Sequence, residues 1–504
     1  MELNDVKGAV GVDVEVLVVG AGPTGLALAC DLTRRGVSAL VAERAGHLFP
    51  GSRGKGIQPR TMEVFDDLGV VGAVLVSGGP APVGMAWRGD GERIGAYDMF
   101  RSAAPTEEQL YSGRPWLLPQ WRTQEILRER LEELGGDVQL RCEVAGLTQD
   151  ADGVSVRFGD GSSVRAAYVV GADGGRSTVR AALGIRMDGE RVDPAPMLVA
   201  DVRVRPEALD RDNWHLFTEA PDGLLTLCPL PGTDDFQLLA RYADERSAPD
   251  TSAAGVRELV ASRSHLKAED VTEVLWASDF RPRTALAEHF RSGRVFLAGD
   301  AAHLHSPAGG QGLNTSVQDA YNLGWKLGQV LRYGAAPALL DTYEAERRPV
   351  AAEMLELSTR VHHGKQQRGP ETQQLGIGYR AGPLAVGAAG VLVAGDRAPD
   401  AVLPGGGRLF DAFRGPHFTL LAVGHAGTGA HEARSAQETC AACAACAAYE
   451  SDWLRTLHVP ALAAYGDGLF LVRPDGCLAW AGEEADGELD VLLGRFAADV
   501  AVRS

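Results

Sequence analysis

The segment that most constrains the fold is Val14 to Arg44, VEVLVVGAGPTGLALACDLTRRGVSALVAER. It opens with a continuous, largely β-branched run of the kind buried on both faces of a parallel sheet. Three glycines follow as Gly20-x-Gly22-x-x-Gly25, then apolar residues at helical spacing that stop at Gly36, then a second apolar run ending at Glu43. The order is strand, tight turn, helix, strand, and it commits this part of the chain to a Rossmann-like α/β unit.

The same spacing carries a chemical expectation. Glycines permit the turn and let the backbone approach a pyrophosphate, whose charge sits on the amides of the helix N-terminus. Gly20, Gly22, Pro23, Thr24 and Gly25 form the expected cradle. Glu43 lies 18 residues after Gly25, where a carboxylate can accept from ribose hydroxyls. Dinucleotide binding is the expectation, against the alternative of a glycine-rich structural turn. An acidic residue there disfavours a 2′-phosphate, so NADP is not expected in this pocket.

At 504 residues the chain is too long for one core, and a prior of about 150 residues per domain gives two to four domains. Hydrophobic residues make up 45% and charged ones 23%, which fits a folded globular enzyme and rules out general disorder. A formal charge of −18, from 49 basic and 67 acidic residues, repels phosphate backbones and anionic lipid heads. Nucleic acid and membrane surfaces are therefore poor partners. The first residues lack a basic region of the signal-peptide type, and GPLAVGAAGVLVAG, from Gly382 to Gly395, is too short to span a bilayer. Seven cysteines, an odd number, do not suggest a disulfide framework. The expectation is a reduced, cytoplasmic enzyme without a metal.

Helices are expected in RTMEVFDDLG and TQEILRERLEELG, and a β-meander with Asp-Gly turns in VQLRCEVAGLTQDADGVSVRFGDGSSVRAAYVVGADG. Strand-like pieces in MLVADVRV, GLLTLCPL and DFQLLARY suggest an α+β layer inserted between two halves of the first domain. A helical stretch runs from Asn314 to about Gln367, and composition changes after GDRAPDAVLP. The expected division is residues 1–184 and 286–395 for the dinucleotide-binding domain, 185–285 for the inserted layer and 396–504 for a third unit. The one low-complexity segment is TCAACAACAAYE.

Two further segments carry chemistry. In YVVGADGGRSTVR a buried strand ends in Gly171-Ala172-Asp173-Gly174, and Asp173 is equally readable as a helix cap. In VFLAGDAAHLHSPAGGQGLN a strand ends at Gly299-Asp300, where a carboxylate can hold a ribityl or ribose hydroxyl. A loop of little bulk then leads to the N-terminus of a long helix. Free amides near Leu313 and Asn314 suit a ligand atom that gains negative charge. Ala308, Gly309 and Gly310 let a flat ring lie against the backbone. The plainer alternative is a capped helix start with two incidental histidines.

Gly-x-Gly-x-x-Gly, then GADG, then GDAAHLHSPAGGQGLN resemble the class A flavoprotein aromatic hydroxylases, the p-hydroxybenzoate hydroxylase fold, over roughly residues 13 to 365. The unit beginning GDRAPD resembles the thioredoxin-like C-terminal domain of the aromatic polyketide hydroxylase subgroup, whose members act in antibiotic biosynthesis or on phenols. The resemblance implies an FAD-binding Rossmann-like domain with an inserted α+β substrate domain. By position, Thr24 resembles the residue on the FAD pyrophosphate, Glu43 the adenosine ribose ligand and Arg44 its neighbour near the adenine. Arg53 resembles a loop arginine beside the pyrophosphate and the pyridine nucleotide, and Gln120 a glutamine at the ribityl and phosphate region. Asp300 resembles the ribityl ligand, Gly312, Leu313 and Asn314 the isoalloxazine-edge amides, and Pro307 the backbone held close to the flavin.

The implied chemistry is reduction of FAD by NADPH or NADH, addition of O2, and transfer of one oxygen to a phenolic or polycyclic aromatic by way of a flavin hydroperoxide. Baeyer–Villiger insertion into a polyketide ketone, a flavin oxidase or dehydrogenase, and a non-oxygenating FAD-binding protein are the alternatives. No second Gly-x-Gly-x-x-Gly exists, in keeping with a family that has no separate nicotinamide domain. His303 is expected to pack; His305 is the one histidine weighed as catalytic. Trp214, His215, Arg241, Trp87 and Trp116 are candidates for the substrate pocket, with buried core the favoured reading for the tryptophans. Cys440, Cys443 and Cys446 fall along one helical face but are read as a variable Ala/Cys-rich segment. Monomer and homodimer are both compatible with the sequence.

Overall fold

The computed structural model describes residues 13–498 except 90, 101–103, 221, 404 and 425–448. Cys440, Cys443 and Cys446 lie outside the described residues. The strand Val14–Val19 pairs in parallel with Ala39–Glu43 on one side and Ser163–Gly171 on the other. Val138–Leu140 and Val295–Leu297 extend the sheet outward, also in parallel. Val16, Leu17 and Val18 are fully buried, which is why this strand reads as an uninterrupted apolar run. The helix Pro23–Arg34 packs between the helices Gln120–Glu133 and Gly312–Arg332.

Register decides where the turns fall. Val19 lies opposite Gly171, and Gly171 opposite Leu297. The carboxyl ends of three strands therefore share one edge, and Gly20, Ala172 and Ala298 begin three turns side by side. Open parallel sheets bind ligands at this edge.

A seven-stranded sheet forms the middle layer, in the order Val271–Phe280, Met197–Val204, Asp235–Arg241, Leu225–Pro229, Asn213–Phe217, Val83–Trp87, Arg93–Tyr97. Its last two strands come from before residue 185. One face buries Leu198, Ala200, Val202, Leu225, Leu227 and Phe236 with Val256 and Val260 of the helix Ala253–Arg263. The opposite face looks toward the turns.

The C-terminal unit holds a six-stranded sheet built around Phe418–Val423, Gly468–Val472 and Leu478–Gly482. The apolar segment from Gly382 supplies two short strands of it, Val386–Ala389 and Leu392–Val393. Trp325 of the long helix packs in one core with Phe418, Trp480 and Phe496. Beside that core Glu346 accepts from Lys326 at 2.7 Å and from Arg473 at 2.8 Å. Fully buried charges of this kind persist only when mutually paired, so the two units are docked through matched groups. Among the described residues no helix is long and apolar enough to cross a membrane.

Candidate functional site

Three glycines of the first turn face three different surroundings. Gly20 has φ +105°, and a Cβ on it would lie 2.5 Å from the Ala172 carbonyl oxygen. A Cβ on Gly25 would lie 2.0 Å from the Gly20 carbonyl oxygen. Gly22, between them, has nothing within 4 Å of its Cβ position. Two glycines thus exist for protein packing, and the third opens onto a space that protein does not fill. The helix Pro23–Arg34 starts at that space with no side-chain cap, so its first amides point outward.

The other two motifs close on the first. Asp173 Oδ2 accepts from Thr178 N at 2.7 Å and Val179 N at 3.2 Å, which starts the helix Thr178–Ala182. Its Oδ1 is buried with no partner. Gly299 has φ +62°, and a Cβ there would meet Thr24 Oγ1 at 2.6 Å. Ser316 Oγ, beside it, is likewise buried and unpartnered. Orphaned polar atoms around an open cradle fit a polar ligand with many acceptors and hydroxyls. Glu43 is gripped at both oxygens, by Ala21 N and Ala45 N at 2.9 Å each, and Arg44 is exposed next to it.

Asp300 is open to solvent yet surrounded by protein, as expected in a deep cleft; burial pushes its carboxyl up while His303 and Arg53 pull it down. The Arg53 guanidinium lies 4.5 Å from the Phe49 ring and 5.8 Å from that of Trp276. Gln120 Oε1 accepts from Gly54 N at 3.0 Å, and a Cβ on that glycine would lie 3.5 Å from Leu313 Cδ1. The long helix begins at Gly312 without a side-chain cap, and its first intrahelical bond runs from Thr315 N to Gln311 O. The amides of Gly312, Leu313 and Asn314 precede that bond. The Asn314 side chain is fully engaged: Oδ1 accepts from Gln58 N at 2.8 Å, and Nδ2 donates to Gly56 O at 2.9 Å and Gly310 O at 2.8 Å. It fastens the segment 52–58 over the helix start.

His303 is fully buried and bonded at Nε2 to Asp319 Oδ2, 2.5 Å away. Arg347 Nε donates to the other Asp319 oxygen at 2.8 Å. His305 Nε2 lies 3.0 Å from His303 Nδ1, while its own Nδ1 is buried without a partner. Burial holds the His305 ring well below the ordinary histidine range, so it is neutral. The Pro307 carbonyl accepts from Gly310 N at 3.3 Å in a 3₁₀ turn.

Of the pocket candidates, Trp214 and Arg241 lie on the cleft side of the middle sheet, and the Lys55 ammonium sits 4.3 Å from the Trp214 ring. Trp87 and His215 turn to the other face and bond each other, Trp87 Nε1 donating to His215 Nδ1 at 2.9 Å. Trp116 donates to Val74 O at 3.0 Å, and Arg241 pairs with Asp193 at 2.6 Å. Sequence reasoning missed Lys55, Asp201, Gln237, Asp319 and Arg368. Lys55 alone left a trace, as the second cation, after Arg53, in GSRGKG.

Residues 13–358 match the family model described as FAD binding domain, and residues 392–499 that described as aromatic-ring hydroxylase, C-terminal. A flavin-dependent monooxygenase of Mycobacteroides abscessus is 48% identical over 81% of this chain and 88% of its own length. The 12-dehydrotetracycline 5-monooxygenase/anhydrotetracycline 6-monooxygenase of Streptomyces rimosus is 37% identical over 68% of each chain. Aklavinone-11 hydroxylase, solved with FAD and aklavinone, superposes with a TM-score of 0.79 at 29% identity, covering 97% of this chain and 100% of the other. With the cradle, the paired turns and both family matches in one chain, the protein belongs to the FAD-dependent aromatic-ring hydroxylases and is a flavoprotein monooxygenase.

Proposed function

We propose that this enzyme hydroxylates a phenolic or polycyclic aromatic of polyketide type, with NADPH or NADH and O2 as co-substrates. The observation that carries the reading is the mutual closure of three separated turns, Gly20 on Ala172 and Gly299 on Thr24, around the open side of Gly22. In this reading Gly20, Gly22, Pro23, Thr24 and Gly25 hold the FAD pyrophosphate, with Arg53 and Gln120 over it. Glu43 takes the adenosine ribose hydroxyls, Arg44 stands by the adenine, and Asp173 and Asp300 take the hydroxyls between. The amides of Gly312, Leu313 and Asn314 face the flavin's electron-rich edge, where an uncapped helix start favours gained negative charge.

Bound there, FAD supplies the redox and oxygen-activating chemistry that amino acids lack. The chain's own residues orient and exclude. Asn314 keeps the segment 52–58 clamped over the helix start. Ser306 accepts from Ala308 N and so shapes the Pro307–Gly309 turn on which the ring is to lie. His305, beside Gly312, is the one histidine we assign to proton transfer, and the Pro307 carbonyl is the backbone group we assign to the reacting face. We place the enzyme in the cytoplasm, where reduced pyridine nucleotide is available; Cys30, Cys142, Cys228 and Cys477 are all free thiols.

The test is NAD(P)H oxidation by the purified yellow protein with naphthol and tetracyclic polyketide candidates. Stimulated oxidation with a product heavier by one oxygen, labelled from 18O2, supports the reading. A flavin that NAD(P)H leaves oxidised with every candidate overturns it, and an oxygen inserted next to a ketone redirects it to Baeyer–Villiger chemistry.

A further inference from the structure

The middle sheet turns one row of side chains toward the cleft. Asp201 pairs in register with Trp276 on one side and Gln237 on the other, Gln237 pairs with Cys228, and Cys228 packs in one cluster with Trp214. Across this row lie two cations from distant parts of the chain. Lys55, on the clamped segment, donates to Gln237 Oε1 and sits over Trp214. Arg368, beyond the helix Asp341–His362, donates to Ala308 O at 3.0 and 2.6 Å. Its guanidinium stands 5.4 Å from the Phe100 ring and 5.9 Å from the Trp214 ring.

The charges do not balance. Among the described residues no ion pair joins either cation to a carboxylate; their acceptors are an amide and a backbone carbonyl. Burial lowers both; Arg368 lowers Lys55 further, whereas Cys228 and Asp201 raise Lys55, and Tyr97 and Cys228 raise Arg368. Burial pushes the Cys228 thiol up to about 11 and raises the Tyr97 hydroxyl, so both are neutral near pH 7. Asp201 is the one carboxyl whose charge reaches this pair, and it acts on Lys55. The Trp214 indole N–H is buried too, with no acceptor. Two cations that no carboxylate bonds are costly in a largely desolvated wall, and one anionic ligand between them would serve both.

Resting on the flavin-cleft reading above, we propose that the substrate binds as an anion, with an ionised oxygen held between Lys55 and Arg368 beside Trp214. The bond from Arg368 to Ala308 sets that oxygen beside the Pro307–Gly309 turn. An acidic ring hydroxyl and a ring carboxylate both supply the oxygen, and Lys55 and Arg368 are then the residues that select for it.

The test uses holoenzyme and two matched pairs of probes, read by perturbation of the bound flavin's spectrum. One pair is 2-hydroxy-1,4-naphthoquinone, ionised at neutral pH, and its 2-methoxy ether. The other is 1-hydroxy-2-naphthoate and its methyl ester. The ionised member of at least one pair is expected to bind tenfold or more tightly than its neutral partner, and the pair that does so tells hydroxyl from carboxylate. Lys55→Gln and Arg368→Gln should each shrink that ratio to within about threefold of unity while FAD content stays at one per chain. Equal binding of ionised and neutral probes, failure of both ionised probes to bind FAD-loaded enzyme, or an unchanged ratio in both variants overturns the proposal. Loss of FAD itself, scored separately by the visible spectrum of wild type, would count against the cleft reading instead.

Discussion

Gly22→Ala and Gly25→Ala differ by three positions in one turn, and the structure assigns them opposite outcomes. A methyl on Gly25 lands 2.0 Å from the Gly20 carbonyl oxygen and 3.2 Å from Val18 Cγ1. Helix and strand must part by about 1.4 Å to restore ordinary contact at 3.4 Å. Overpacking against backbone costs about 3 kcal/mol, the upper end of the usual range. A methyl on Gly22 meets no protein atom within 4 Å, and the backbone there, φ −73° and ψ 176°, suits any L residue. The poorer N-cap costs about 1 kcal/mol, and reduced freedom of the unfolded chain returns about 0.4–1 kcal/mol, so stability barely changes. The methyl does enter the space assigned to the pyrophosphate, and a clash of about 1–3 kcal/mol weakens FAD about 5- to 150-fold. Melting must be followed on cofactor-free protein, because bound FAD raises the midpoint by itself; affinity is read by titrating FAD fluorescence. Gly25→Ala should melt several degrees lower, whereas Gly22→Ala should melt as wild type and lose affinity. Wild-type FAD affinity in Gly22→Ala, or a wild-type midpoint in Gly25→Ala, would refute this division of labour.

The turn was legible because its constraints are local. Gly20 is demanded by its own left-handed backbone and Gly25 by the Gly20 carbonyl five residues before it, so their spacing signals the fold. Gly299 is left-handed, which is a local demand, whereas its contact with Thr24 spans the chain. The roles of side chains were harder. Asn314 was read for its backbone amide, but its side chain makes three bonds to the segment 52–58 and to Gly310, contacts that span more than 250 residues in two cases. Alternation along Asn213–Phe217 was visible, but not which face met the cleft; the register His215↔Leu227 sends His215 into the core and leaves Trp214 outside. Lys55, Asp201, Gln237 and Arg368 carry no shared spacing. They meet because antiparallel pairing sets Asp201 beside Gln237 and two loops close above them.

The remaining predictions probe the carboxylates. Asp300→Ala should yield largely flavin-free protein by absorbance, and full FAD content would remove Asp300 from the cofactor's hydroxyls. Asp319→Asn leaves buried Arg347 and His303 facing an amide, and breaking such a pair costs about 3–5 kcal/mol, visible as a large fall in melting temperature. Asp201 makes the sharper case, because its carboxyl is pushed by burial from 3.8 up to about 6. The unfolded chain gives up this proton first as pH rises, so the folded state is penalised progressively from about pH 4, and the penalty is complete above about pH 6. A rise of that size in acidity constant corresponds to about 2–3 kcal/mol. Asp201→Asn should therefore stabilise cofactor-free protein by about that amount at pH 8 and by much less at pH 5, in denaturant titrations at both values. A difference between variant and wild type that does not change with pH would mean that the buried carboxyl is not what titrates.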